Sequence, residues 1–113
     1  MNSMKKIFLV LFTALLMVSC GKSYIESYEE VCNNTKEQLK IASSSAEVVE
    51  LMKQFRVEIN EINEDFPEEA AKYMFADKED EEAYAIYQRR SNAYNAVSRM
   101  ATQIRRIMTN KEK

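Results

Sequence analysis

The chain has 113 residues, with 16 Lys and Arg against 18 Asp and Glu, a formal charge of −2. It contains one Gly, one Pro, no His and no Trp. So few turn-formers exclude a sheet with several hairpins. The lack of His removes the parts for His-based acid–base chemistry, for Ser-His and Cys-His nucleophiles, and for zinc sites built on His. Abundant Glu, Lys, Ala, Met and Ile point instead to helices.

In chain order, the first segment is a short basic patch, Lys5-Lys6, and then twelve mostly apolar residues from Ile7 to Val18. Ser19 and Cys20 follow. A basic start, an apolar run of this length and a small residue at the cut are the three parts of a secretory signal. As a helix the run measures ~18 Å, against a hydrocarbon core of ~30 Å, too short to span. Residues 1–19 are therefore expected to be a targeting segment, with translation starting at Met1 or at Met4.

Met17-Val18-Ser19-Cys20 resembles the lipobox of bacterial lipoproteins, a short apolar-small-small-Cys motif, with Met17 in place of the commoner Leu. The resemblance covers residues 1–21 only. It implies cleavage before Cys20, a diacylglycerol group on the Cys20 thiol, and a new amino group open to acylation. Two or three acyl chains suffice for stable anchoring without a transmembrane helix. By the same resemblance Gly21, which is not the Asp that favours inner-membrane retention in enteric bacteria, implies the outer membrane over the inner. Residues 20–23 then form the lipidated Cys and a short tether. Residues 24–113 form one small domain.

The domain reads as helices. Ile25, Tyr28, Cys32, Thr35, Leu39 and Ala42 recur at alternating steps of three and four, which predicts a helix over about 24–42. Cys32 lies on that stripe. With Cys20 assigned to lipid it has no disulfide partner within the chain, so it is expected to be buried, an intermolecular disulfide being the alternative. Ser44 with Glu47 makes a capping-box signature for a second helix over about 45–65, whose seam is Val48, Met52, Phe55, Ile59, Ile62 and Phe66. Pro67 opens a short helix over about 67–76, with Asp65 its expected N-cap.

The last helix is expected over about 78–109. Ala83, Tyr87, Tyr94, Val97, Ala101 and Ile104 line one seam, with Met108 beyond them, and Ile86, Ala93, Met100 and Ile107 run beside it. Such a wide apolar face can meet two neighbours. Arg90 falls on the seam and is expected to pair with a Glu of another helix or to reach water. Gln88, Asn92, Asn95, Thr102, Gln103 and Thr109 make an opposite face of uncharged polar groups. The fold class expected is all-α, a small antiparallel three-helix bundle with a long C-terminal helix. An elongated, self-associating coiled coil is the alternative.

Charge is segregated. Residues 20–82 carry 7 basic and 17 acidic groups; residues 83–113 carry 7 basic and 1 acidic. The acidic run around Asp77–Glu82 lacks the central glycine of a calcium loop and fits the positive end of a helix dipole better, so no metal is expected. The basic C-terminal stretch carries Tyr84, Tyr87 and Tyr94, but export and core packing argue against nucleic acid. Arg99, Arg106 and Lys113 are a candidate contact for anionic lipid head groups.

No catalytic, cofactor-binding or metal-binding residue is expected; Cys20 is the single site residue, as lipid anchor. The function expected is a non-catalytic helical interaction module on the cell envelope, with an envelope protein as partner and self-association possible. An immunity-type or inhibitor lipoprotein that blocks a toxin or hydrolase is the alternative.

Overall fold

The structure, a computed structural model, describes residues 22–112. The expected signal segment and Cys20, the expected anchor, lie outside the described residues. Four helices follow in order: α1 Tyr24–Lys40, α2 Ser45–Asp65, α3 Pro67–Met74 and α4 Glu81–Glu112. Among the described residues there is no strand, and no helix is long and apolar enough to cross a membrane.

The three long helices start where side chains satisfy their first free N–H groups, whereas α3 has no side-chain cap and opens on Pro67. The Ser23 hydroxyl accepts from the Glu26 N–H at 3.3 Å and opens α1. Ser44 accepts from the Glu47 N–H at 3.2 Å and opens α2, as the capping-box spacing predicts. The Glu47 carboxylate reaches back to the N–H of Ser43, at 2.8 Å.

Two boundaries differ from expectation because of local backbone rules. Asp65 is the last residue of α2, and Phe66, with φ −126° and ψ 62°, is the N-cap of α3. Pro67 forbids helical geometry in the residue before it, so the break falls at Phe66. The final helix starts at Glu81, not near Lys78. Asp77 first closes a turn by accepting from the Asp80 N–H through its carbonyl, at 3.0 Å. The Asp80 carboxylate then accepts from the Ala83 N–H, at 3.2 Å. The helix continues past Thr109 to Glu112, while α1 stops two residues early at Lys40 and α3 stops at Met74.

The contacts set the topology. Tyr24, at the start of α1, donates its hydroxyl to Asn63 near the end of α2, at 2.9 Å. The Ser45 N–H and hydroxyl, at the start of α2, donate to the carboxylate of Glu112, at 3.0 and 2.7 Å. Thus α2 runs antiparallel to both α1 and α4, and α1 and α4 run parallel. The result is the three-helix bundle, with α3 as the connector at the pole where the chain enters from Lys22. It measures 49 × 28 × 16 Å.

The core is a single cluster that includes Tyr24, Tyr28, Cys32, Leu39, Phe55 and Ile62 from α1 and α2, with Val97 and Ala101 from α4. The buried face of α2 is wider than the single seam read from sequence. Leu51 and Glu58 are buried as well, on the α2 side that continues Phe55 and Ile62. On α4 the expected second row is only half-buried, and its last member, Ile107, is 56% exposed. The bundle tapers there: beyond Ala101 the helix runs alongside the end of α1 and the start of α2, with little left to cover it.

Candidate functional site

Three polar features of the bundle bear on function: an aromatic–arginine cluster at one pole, buried polar groups on α1 and α2, and a basic groove at the other pole. The first forms around Arg90. Its guanidinium lies 5.2 Å from the Tyr28 ring centroid, and its positive charge acts on the Tyr24 hydroxyl. Among the described residues Arg90 has no Glu partner, one arm of the expectation, and the residue is half-buried. A planar, weakly hydrated guanidinium stacks on aromatic faces, so the seam accommodates it against the Tyr28 ring. The Tyr24 ring also stacks on Tyr73 at 5.8 Å and meets Phe66 edge-on at 6.0 Å, which locks α3 onto the same pole. Burial pushes both tyrosine hydroxyls above their ordinary pKa, with Arg90 pulling the other way. The neighbouring Arg89, off the seam, makes the interhelical ion pair instead, at 2.5 Å to Glu29 of α1.

Cys32 is fully buried and free. Burial pushes its thiol up to about 12, so it stays protonated and has the character of a core side chain rather than of a nucleophile. The three C-terminal tyrosines divide. Tyr94 packs on Phe55 at 5.1 Å, whereas Tyr84 and Tyr87 are half-buried and stack on each other at 5.5 Å. Core packing therefore accounts for Tyr94 only. The carboxylates of Asp77 and Asp80 accept backbone N–H groups at the entry to α4.

Sequence reading missed the buried polar groups. Glu58 is 2% exposed and neither carboxylate oxygen has a hydrogen-bond partner. Desolvation, with a small push from Glu61, raises it to about 7. Ser27 and Gln38 on α1 also bury side-chain polar atoms without partners. The legible signal for Glu58 was its place three residues after Phe55 and four before Ile62, within a stripe that begins at Leu51.

The third feature is a groove of about 250 Å³ between α2 and α4. Val48, Val49, Met52 and Ala101 form its apolar floor, and Arg56 and Arg105 stand at its edges. A second recess, lined by Thr102, Arg105, Arg106, Thr109 and Asn110, prolongs it along α4. Among the described residues, Arg56, Arg99, Arg105 and Arg106 make no ion pair; the interhelical pairing of α4 with an acidic neighbour is confined to Arg89. The basic helix does lie against two acidic ones, but their charges are out of register. The groove lies toward the pole opposite Lys22, about 30 Å away by helical rise.

The described residues form an all-α bundle of three long helices with the short α3 as connector. No protein-family profile, curated protein or solved structure matches the chain.

Proposed function

We propose that the chain is a bacterial envelope lipoprotein, held by lipid on Cys20, whose helical bundle is a non-catalytic module for binding an envelope protein. The observation that carries the reading is the outer face of α4. From Ala83 to Lys111 this helix has no acidic residue, and Gln88, Asn92, Asn95, Thr102, Gln103 and Thr109 are all exposed on it. That face runs for ~30 Å. A long, rigid strip of amide and hydroxyl groups, interrupted by the exposed Arg99 and Arg106 but holding no carboxylate, suits hydrogen bonding to a partner without the desolvation cost of buried carboxylates. The lipobox-like Met17–Cys20 supplies the attachment, and a tether of three residues, with a reach of roughly 10 Å, keeps the bundle at the membrane surface. The outer membrane is the proposed location.

Two measurements test this. Mass spectrometry of the mature N-terminus is expected to find acyl chains on Cys20; an unmodified Cys20, or a chain starting at Gly21, refutes the anchor. A photo-cross-linking residue placed at Asn95 in the cell-expressed protein is expected to trap a discrete envelope protein. A pattern identical to that of a control carrying only the signal and Cys20 refutes the interaction module.

A further inference from the structure

The two poles of this bundle are complementary to each other. The basic groove is one half. The other half sits where α3 leads into α4. There Phe75 is 80% exposed and Met74 43% exposed, an apolar tip with no cover. Beyond Asp77 and the exposed Lys78 come Glu79, Glu81 and Glu82, which outnumber that one cation, all exposed and, among the described residues, engaged in no ion pair. One end of the molecule thus offers an aromatic ring followed by free carboxylates. The other offers an apolar recess edged by free guanidiniums.

We propose that the chain associates head to tail with copies of itself, the Phe75 tip of one copy seated in the α2–α4 groove of the next. The occupant fits the recess by size and by order. A cavity of about 250 Å³ holds several waters and therefore one aromatic ring. The phenyl ring of Phe75 covers the Val48–Met52–Ala101 floor, and the carboxylates that follow it in the chain meet Arg105 and Arg106 farther along α4. Bidentate carboxylate–guanidinium pairing supplies direction. The contact uses different surfaces on the two copies, so it is heterologous and does not close on itself as a two-fold dimer does; it propagates into rows. Anchored copies would lie with their 49 Å axes along the membrane, which keeps the outer strip of α4 available. The anchor also concentrates the chains, so a small contact of weak intrinsic affinity is sufficient.

The test uses the full chain purified in detergent micelles, with mass followed by sedimentation over a range of protein concentration. The wild-type protein is expected to grow in mass with concentration without a fixed end point. Association should weaken when salt is raised from about 0.01 M to about 1 M, because the pairs are exposed and screened. Phe75→Ser, which spoils the tip, and the double change Arg105→Glu with Arg106→Glu, which spoils the groove, should each weaken self-association by roughly tenfold or more. All three positions are on the surface, and unchanged far-UV circular dichroism verifies that the variants fold. The decisive measurement mixes the two variants. Each retains the half that the other lacks, so the mixture should form a one-to-one pair and no longer assembly. A mass that stays monomeric at every concentration overturns the proposal, as does a symmetric dimer whose variants fail to complement. A groove that binds an acidic helical peptide or anionic phospholipid vesicles, in a chain that does not self-associate, also overturns it. None of these failures touches the interaction reading above, which is judged by cross-links to other proteins.

Discussion

Glu58→Met gives the sharpest check on the energetics of this bundle. The wild-type carboxyl is buried on α2 with both oxygens unpartnered, and its pKa is displaced from 4.5 to about 7, first by desolvation and then by Glu61. Displacements of this kind are stability differences, at about 1.4 kcal/mol for each pH unit. The distance from 4.5 to about 7 therefore amounts to ~3 kcal/mol of lost stability. The direction follows from where the proton sits. Below pH 4.5 the carboxyl is protonated in folded and unfolded chains alike, and ionisation has no effect. Between pH 4.5 and about 7 the unfolded chain releases the proton while the folded chain retains it, so rising pH favours unfolding. Above that window the whole penalty remains. No His side chain exists to titrate in the same range. Met is unbranched, similar in length and free of charge, so it fills the site without the ionisation. The assay is urea unfolding followed by circular dichroism, at pH 4.5 and at pH 8. The stability gap in favour of the variant should widen by ~3 kcal/mol between those two conditions, which corresponds to a midpoint change of about 1–3 M urea for a domain of this size. A gap that is flat with pH refutes the account of Glu58 as an uncompensated buried acid.

Other outcomes follow from the same packing. The Cys32 thiol, fully buried and pushed up to about 12, should resist an aromatic disulfide reagent at pH 8 in the folded protein and react fully in urea. Rapid reaction without denaturant contradicts its burial. Ser44→Ala removes the acceptor for the Glu47 N–H and should cost about 1 kcal/mol; Ser44→Gly should recover most of it, because glycine tolerates the cap geometry. Thermal unfolding of the two variants side by side measures the difference.

Much of the architecture is legible because it is local. The steps of three and four from Ile25 to Leu39 and from Val48 to Ile62 mark buried helix faces. Ser44 with Glu47 marks the start of α2. Pro67 marks the start of α3 through the single rule that the residue before a proline leaves the helical region. These signals act within one or two turns and need no partner to be read. The misplaced start of α4 is local as well. Asp77 and Asp80 both suit a cap, and sequence offers no way to rank them, whereas in the structure the two are used in succession, one for a turn and one for the helix.

By itself, then, the sequence determines the helical class, the number of helices and most of their ends, because hydrophobic period and capping chemistry are properties of neighbouring residues. It also carries the lipobox-like Met17-Val18-Ser19-Cys20, which is read as a linear motif. Tertiary structure decided the fate of the charges. Glu58 and Arg90 both interrupt apolar stripes. Glu58 meets no hydrogen-bond partner, whereas Arg90 stacks on the Tyr28 ring, a difference set by what the adjoining helices present at that height. Likewise, an acidic half and a basic half of one chain read as a match. The antiparallel register of α2 and α4 instead places Arg56 of the acidic half and Arg105 of the basic half on the same groove. Charge segregation is written in the sequence, but compensation depends on distance in three dimensions, and the fold alone sets that distance.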